Sequence, residues 1–298
     1  MDFEDIWVLK RTKSLCDSSK MRTGNRPTDG GCLIIEAEEY HNVVKNLPEV
    51  LMYVKPLIGS EEYINNLERY CLWLKGVSPS VIRSIPYIRN RVEKCREIRL
   101  ASTDKGRQKL ADTPWLFRET NNPDSCLVVP EVSSEKREYI PIGFIDKNTI
   151  VTNLAFIVPD ASVYEYGILT SSLHMAWVRV IGGKLKSDYR YSNTIVYNNF
   201  PWPEATEEEK EYIKELAQIV LDTRSVYSES SLADMYDHKF MPSDLRKAHR
   251  NLDRAVLKLY GLKSDTDEMD IVKHLLGLYK DLSKKVEKNQ NNKGICKK

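Results

Sequence analysis

The sequence predicts an α+β domain followed by a smaller, all-helical domain. Three β-branched and aromatic segments between residues 126 and 158 are separated by Ser, Asn, Asp and Pro, which is typical of short strands. Apolar residues recur at helical spacing from about Ala161 to Val180. After the Pro201-Trp202-Pro203 segment, every periodic stretch is helical, so we place the domain boundary there. A chain of 298 residues is long enough for two such domains.

The α+β part is predicted to interleave its helices and strands. Strands are expected at 126–130, 139–145, 150–158, 183–191 and 189–200, and helices at 78–100 and 161–180. Asp160 is expected to cap the second helix, and Gly182-Gly183 to end it. These elements together give a mixed sheet-and-helix domain.

The C-terminal part is predicted to contain three helices. Thr206 and Glu209 fit a capping box, and an apolar face follows them along the first helix. A second helix is expected from about Ser243 to Gly261, and a third carries apolar residues from Ile271 to Leu282. The smaller domain is therefore expected to be entirely helical.

Composition excludes several classes of protein. Hydrophobic residues make up 41% and charged residues 30%, which is typical of a globular chain. The six cysteines form no CxxC pair, which argues against a zinc ribbon, a redox motif or a disulfide scaffold and favours a reducing compartment. No apolar stretch approaches ~18 residues, so we expect a cytoplasmic protein with no membrane partner.

Charge is balanced overall but not locally. The net charge is +2, yet residues 83–109 contain nine basic and three acidic side chains, a net charge of +6. Residues 204–239 carry four basic and ten acidic side chains, a net charge of −6. The basic run is a candidate footprint for an anionic partner.

Five segments, taken in order, resemble one family. They are GNRPTDGG, KPLIGSEEYINNLERYCLWL, QKLADTPWLF, GKLKSDYRYSNTIVYNNFPWP and SLADMYDHKFMPSDLRKAHRNLDRAVLKLYG, at 24–31, 55–74, 108–117, 183–203 and 231–261. Together they resemble the C-terminal part of MmeI-like enzymes, the type IIG/IIL bacterial DNA adenine methyltransferases of restriction-modification systems. The resemblance implies that residues 1–31 are a linker from an upstream methyltransferase domain that this chain lacks. It also implies a DNA target-recognition domain at 32–203 and a helical C-terminal domain at 204–298.

The motifs of methyl transfer are missing from this chain. We find no Gly-rich loop for S-adenosylmethionine and no Asn-Pro-Pro-Tyr/Phe loop to hold a flipped adenine. The five histidines show no metal spacing, and no nuclease constellation is convincing. We therefore expect no cofactor, metal or catalytic residue in this chain. The resemblance implies that the chain is part of a site-specific adenine-N6 methyltransferase, and that the missing domain of that enzyme binds S-adenosylmethionine.

The segment 183–191 is the predicted base-reading element. If it is a strand, alternation places Lys186, Asp188 and Arg190 on one face, with Tyr189 and Tyr191 on the other. A Lys ammonium donates to guanine, and a carboxylate accepts from cytosine N4. The family resemblance implies that the pair at 186 and 188 selects one base. We predict a G·C pair, with guanine on the strand that carries the methylated adenine; the alternative is a surface Lys–Asp pair of little energetic value.

Other basic side chains are predicted to contact the DNA backbone, which carries affinity but little sequence information. They are Lys184, Arg89, Arg91, Arg96, Arg99, Lys105, Arg107 and Lys109. The alternative for the run in 83–109 is a solvated helix face. Arg26 of the GNRPTDGG loop is a further possible phosphate contact, although the turn-forming residues favour a structural loop.

The expected partners are double-stranded DNA and a methyltransferase, either as an upstream domain or as a separate subunit. One alternative is a stand-alone specificity subunit that docks a separate methyltransferase. Another is a protein-interaction module without DNA function, and a third is an enzyme with unfamiliar motifs. The sequence alone favours a recognition module that orients a catalytic domain on its target.

Overall fold

The computed structural model describes residues 6–295, and it describes side chains as far as residue 288. Strands and helices are mixed before residue 203 and only helices follow it, so the predicted α+β class is confirmed. The strands are β1 (Arg22–Thr23), β2 (Ile34–Glu36), β3 (Val54–Ile58), β4 (Arg69–Leu72), β5 (Ser125–Pro130), β6 (Val132–Ser133), β7 (Gly143–Asp146), β8 (Ile150–Val151), β9 (Ala155–Pro159), β10 (Gly183–Leu185) and β11 (Asp188–Arg190).

The α-helices divide into a group before β5 and a group after β9. The first group comprises α1 (Ala37–Asn42), α2 (Pro48–Leu51), α3 (Ser60–Asn65), α4 (Pro79–Ser84), α5 (Pro86–Leu100) and α6 (Lys105–Lys109). The second comprises α7 (Val163–Leu169), α8 (Ser172–Ile181), α9 (Glu207–Val226), α10 (Leu232–Met235), α11 (Ser243–Leu259) and α12 (Glu268–Ile295).

The strands form three small sheets. Their orders are β1-β9-β5-β7, β2-β4-β3-β8 and β10-β11-β6. In the second sheet β4 pairs antiparallel with both β2 and β3, whereas β3 and β8 are parallel. In the third, β11 pairs antiparallel with β10 and with β6.

The described chain divides into two compact units. The sheet unit comprises residues 23–128 and 144–157, and the helix-rich unit comprises residues up to 22, 129–143 and those from 158 onward. Each unit is continuous in space but not in sequence, since the chain passes between them after residues 22, 128, 143 and 157.

The core of the sheet unit lies between β2, β3, β4 and helix α5. Ile35, Leu57 and Leu72 are fully buried on the strands, and Ile88 and Cys95 are fully buried on α5. The spacing of the buried positions of α5 follows the helical repeat, because residues three or four apart share one face. The helix therefore covers the sheet with one face and exposes the other.

The core of the helix-rich unit is built by pairs of packed helices. Helix α9 packs on α7 and α11, and α8 packs on α12 and α11. Ala217 and Val220 of α9 are fully buried, as are Leu252 and Val256 of α11. The helices predicted after residue 203 are all present, and Thr206 forms the predicted capping box with Glu209, donating to and accepting from that residue.

Two predicted helices are interrupted. The helix predicted at 78–100 is divided by Ile85 into α4 and α5, since Pro86 begins a new helix. The helix predicted at 161–180 is divided after Leu169, because Ser171 caps the first turn of α8 by accepting from the His174 N–H. Ser162 caps α7, so the prediction of Asp160 as its cap is wrong.

Three predicted strands are shorter than expected. The segment predicted at 139–145 is a strand only from Gly143, where β7 begins. The segment 150–158 is divided by a turn into β8 and β9. The segment predicted at 189–200 leaves the strand after Arg190, and Asn193–Tyr197 forms a π-helical turn. The Asn199 amide donates to the carbonyls of Thr194 and Ile195, at 3.2 and 2.9 Å. The Thr194 carbonyl also accepts from the Arg11 N–H at 2.9 Å, so both carbonyls have partners without a strand ladder.

Within residues 6–295, none of the helices combines the length and the apolar character that crossing a bilayer requires.

Candidate nucleic-acid interface

The predicted base-reading segment is a β-hairpin in the helix-rich unit. Strands β10 and β11 are antiparallel, with Lys184 opposite Tyr189 and Leu185 opposite Asp188. Lys186 and Ser187 fill the two-residue turn between them. The prediction of one continuous strand is therefore wrong at Lys186. Two-residue hairpin turns usually contain Gly, Asn or Asp, and neither of the two central residues of this turn is one of these.

Lys186 occupies an unusual backbone conformation at the tip of the hairpin. Its φ is +57°, which an L-amino acid with a long side chain seldom adopts. The side chain is exposed, as are those of Leu185 and Ser187 beside it. Since Lys186 lies outside the strands, strand alternation does not place it on the face of Asp188. Lys186 and Asp188 are near each other because they are two residues apart at the turn, not because they share a strand face.

Asp188 and Arg190 share one face of β11, as the sequence predicts. Asp188 is half-buried, and its Oδ1 accepts a hydrogen bond from the Glu135 backbone N–H at 3.3 Å. Arg190 is exposed and forms an ion pair with Glu131, with Nη2 and Oε1 3.0 Å apart.

The half-buried guanidinium of Arg137 lies near Asp188. Burial lowers the pKa of Arg137, and the charges of Asp188 and Asp237 act in the opposite direction. Its Nε is buried and finds no hydrogen-bond partner among the described side chains and backbone. Asp188 therefore has a positive charge beside it in addition to the hydrogen bond from Glu135.

The hairpin is attached to the core of its unit through the residue that follows it. Tyr191 is 2% exposed, and its hydroxyl lies 2.9 Å from Nε2 of His174 on α8. Burial lowers the pKa of His174 to about 3, so this ring is neutral at physiological pH. Tyr191 therefore packs against α8, the helix that also carries Trp177.

Lys184 and Tyr189 form a cross-strand pair on the other face of the hairpin. The ammonium lies 4.8 Å from the centre of the Tyr189 ring, within the range of a cation–π interaction. Lys184 is exposed. A phosphate contact by Lys184 remains a prediction and would have to compete with this interaction.

The basic run predicted to contact the DNA backbone lies in the sheet unit, on α5 and α6. Arg99 is fully buried, and its guanidinium donates to five backbone carbonyls at 2.8–3.1 Å. These carbonyls belong to Pro27, Thr28, Leu110, Thr113 and Leu116. The prediction that Arg99 contacts DNA is therefore wrong. Arg99 instead joins two loops to α5.

The sequence did contain a signal for the position of Arg99. Ile88, Val92 and Cys95 are the buried residues of α5, and position 99 continues their spacing of three to four residues. A charged residue at a core position is expected to be fully paired or hydrogen-bonded. The periodicity of the whole helix was thus more informative than the local count of charges.

The remaining basic residues of the run differ in their exposure. Arg91 is partly buried, donates to the Cys32 carbonyl at 2.6 Å and pairs with Glu39 at 2.5 Å, so its donors have partners within the unit. Arg107 is half-buried. The four exposed members are Arg89, Arg96, Lys105 and Lys109. The exposed four therefore keep the predicted role of phosphate contacts as an expectation.

The GNRPTDGG loop is held by its own side chains. Asn25 is fully buried and donates to the Asn121 carbonyl at 2.8 Å, and Asp29 accepts from the Gly31 N–H at 3.1 Å. At Gly24, a Cβ would lie 2.2 Å from the Thr152 carbonyl oxygen, so no larger residue fits. These contacts favour the structural interpretation of the loop.

Comparison with protein-family models matches the chain along almost its whole length. Residues 2–204 match the MmeI target recognition domain, and residues 205–287 match the MmeI C-terminal domain. This chain belongs to the MmeI family. It is 41% identical over 285 residues to DNA methyltransferase A of Bacillus subtilis (strain 168), covering 95% of this chain and 32% of that protein.

A solved structure of a family member has the same fold. The type IIL restriction-modification enzyme MmeI in complex with DNA superposes with a TM-score of 0.90 at 40% identity, over 94% of this chain and 38% of that chain. The chain thus spans about a third of the length of both relatives. Among the described side chains, no three His, Cys, Asp or Glu residues converge in a way that would hold a metal ion.

Proposed function

We propose that this chain recognises a specific sequence in double-stranded DNA and positions a methyltransferase domain for adenine-N6 methylation. Its membership of the MmeI family and its likeness to an MmeI structure in complex with DNA support this function. The catalytic domain that binds S-adenosylmethionine belongs to the same polypeptide or to a separate subunit. This chain supplies the recognition step of a type IIG or type IIL restriction-modification enzyme.

The exposed hairpin turn is the observation that carries the proposal. A two-residue turn has little freedom, and it holds Lys186 in the open with Asp188 two residues further on. A β-ribbon fits into the major groove, where each base pair presents a distinct pattern of donors and acceptors. A projecting hairpin with a cation at its tip is well suited to this type of readout.

Lys186 and Asp188 are proposed to read one G·C pair. The ammonium donates to O6 or N7 of a guanine on the strand that carries the methylated adenine, and the carboxylate accepts from N4 of the paired cytosine. The Glu135 N–H donates to the carboxylate and holds it in place, and the positive charge of Arg137 lies nearby. Arg190 contributes less, because Glu131 occupies its donors.

Exchanging the donor and the acceptor tests this assignment. We expect the double variant Lys186→Glu/Asp188→Arg, placed in the complete methyltransferase, to prefer a different base pair at one position of its target. A good base contact discriminates by about 1–3 kcal/mol, which corresponds to roughly a fivefold to 150-fold change in preference. Methylated sites in genomic DNA are mapped by single-molecule sequencing.

The matched control exchanges the same charges on the exposed surface of α12, as Lys284→Glu/Glu287→Arg. It should leave the methylated sequence unchanged. If the hairpin variant methylates the same sites as the wild type at a reduced rate, the G·C assignment is wrong. If the preferred base changes only at the predicted position, the hairpin reads that base pair.

A further inference from the structure

Helix α11 carries four cations on one exposed face. Lys247, Arg250, Arg254 and Lys258 are all exposed, whereas Leu252 on the opposite side of the helix is fully buried. Their spacing of three, four and four residues aligns them along one strip of helix surface. At a rise of ~1.5 Å per residue, neighbouring cations are about 4.5–6 Å apart along the axis. We call these four residues the basic stripe.

The charge of the basic stripe is not neutralised within the described part of the chain. None of its members forms a salt bridge among the side chains up to residue 288. The hydrogen bond from Arg254 to Asn251 Oδ1, at 3.2 Å, joins it to a neutral group. On α9, by contrast, Lys210 and Lys214 pair with glutamates at 2.7 and 2.5 Å.

A cavity of about 360 Å³ lies beside the middle of the stripe. Its donors come from three segments of the helix-rich unit: Ser172, Arg179, Arg250, Arg254, Ser264 and Thr266. Its two acidic residues already have partners, since Glu268 pairs with Arg179, and Asp253 accepts from the Ser172 N–H and the Tyr139 hydroxyl. Arg250 and Arg254 are therefore available to an oxyanion from outside.

We propose that the basic stripe binds the phosphate backbone of double-stranded DNA, with one phosphate seated at the cavity between Arg250 and Arg254. This inference rests on the proposed function and extends the DNA contact from the hairpin to the helical domain. Phosphates recur regularly along a strand, and a straight helix with regularly spaced cations complements them. Arginine suits this task because its planar fork binds two phosphate oxygens at once. The contact supplies affinity and register without selecting a sequence.

The salt dependence of DNA binding tests the stripe. The double variant Arg250→Gln/Arg254→Gln is compared with Lys284→Gln/Lys285→Gln, which removes the same charge from the exposed surface of α12. The 298-residue chain is titrated against a fluorescein-labelled duplex of arbitrary sequence, and anisotropy is followed over a range of salt concentrations. Each lost phosphate contact lowers the slope of log K against log salt by about 0.9, so the stripe variant should lose about 1.8.

We expect the control variant to keep the wild-type slope, and both variants to keep the wild-type circular dichroism and thermal midpoint. Equal loss of slope in the two variants would show a general charge effect and overturn the inference. An unchanged slope in the stripe variant, with DNA binding by the wild type intact, overturns the inference while leaving the proposed function in place, and points instead to an acidic protein partner. Failure of the wild-type chain to bind any duplex overturns both.

Discussion

The hairpin at 183–190 and the basic run at 83–109 are both predicted to contact DNA, but the structure uses their charges differently. The basic run has the higher net charge, yet Arg99 is fully buried and Arg91 is bound within the sheet unit. The hairpin has a smaller net charge, but it presents Lys184, Lys186 and Arg190 to solvent. The net charge of a segment therefore does not indicate which of its charges are exposed. The local backbone geometry decides that.

Replacing Arg99 should have the largest effect. Arg99→Gln leaves several buried carbonyls without donors, and we expect it to lower the free energy of unfolding of the sheet unit by about 3–5 kcal/mol. Arg96→Gln, on the exposed side of the same helix, should change it by no more than about 0.5 kcal/mol. Urea unfolding followed by tryptophan fluorescence measures both. Trp73 and Trp115, which pack against the core of the sheet unit, report on it directly.

The same two variants separate structure from binding. Arg96→Gln should weaken DNA binding and lower its salt slope by about 0.9, because Arg96 is exposed and its proposed partner is a phosphate. If Arg99→Gln folds as stably as the wild type, the structural role assigned to it is wrong. If Arg96→Gln leaves DNA binding unchanged, the solvated-face interpretation of the basic run is correct.

Sequence alone predicted the features that depend on short-range signals. The capping box at Thr206 and the apolar stripe of α11 each lie within one helix, and both are present. The features it missed are also local, but each is set by a single polar side chain or by a turn that the surrounding sequence pattern hides. Ser171 interrupts a continuous apolar pattern because it caps α8, and Asn199 stabilises a π-helical turn in a segment rich in β-branched residues. The Lys186-Ser187 turn has no local signal, since the conformation at Lys186 is imposed by the pairing of β10 with β11.

Acid should weaken the contact that holds the hairpin, which involves His174, but not the contacts of Arg99 in the basic run. A guanidinium such as Arg99 stays charged at every pH of interest. His174 of α8 and His249 of α11, whose Nε2 lies 3.0 Å from the Tyr236 hydroxyl, are instead buried with their pKa values lowered to about 3. In the unfolded chain the two imidazole rings take up protons near pH 6.5, whereas in the folded chain they stay neutral. The free energy of unfolding is therefore highest above pH 6.5 and decreases as the pH falls. Each ring costs about 2 kcal/mol between pH 6.5 and pH 5.

Asp253 acts in the opposite direction over the lower part of this range. Burial raises its pKa to about 6, so its protonation favours the folded state as the pH falls below 6 and returns about 1.4 kcal/mol by pH 5. The net loss for the helix-rich unit is therefore about 2–3 kcal/mol. In His174→Gln it should be less than about 1 kcal/mol. Urea unfolding at pH 6.5 and pH 5 measures both. An equal acid effect in the two proteins would contradict the neutral state assigned to His174.

The smallest expected effect sharpens the comparison at the hairpin tip. Asn tolerates positive φ better than Lys, so Lys186→Asn should raise the free energy of unfolding of the helix-rich unit, by up to about 1 kcal/mol. Ser187→Asn is the control, because the backbone at Ser187 is not in the left-handed region. Lys186→Asn should at the same time lower discrimination at the proposed G·C pair, since a neutral amide replaces the ammonium. A gain in stability with a loss of discrimination would show that the strained backbone at Lys186 is retained for recognition. A gain in stability with unchanged discrimination would make the turn a structural feature only, and the hairpin would then resemble the buried part of the basic run.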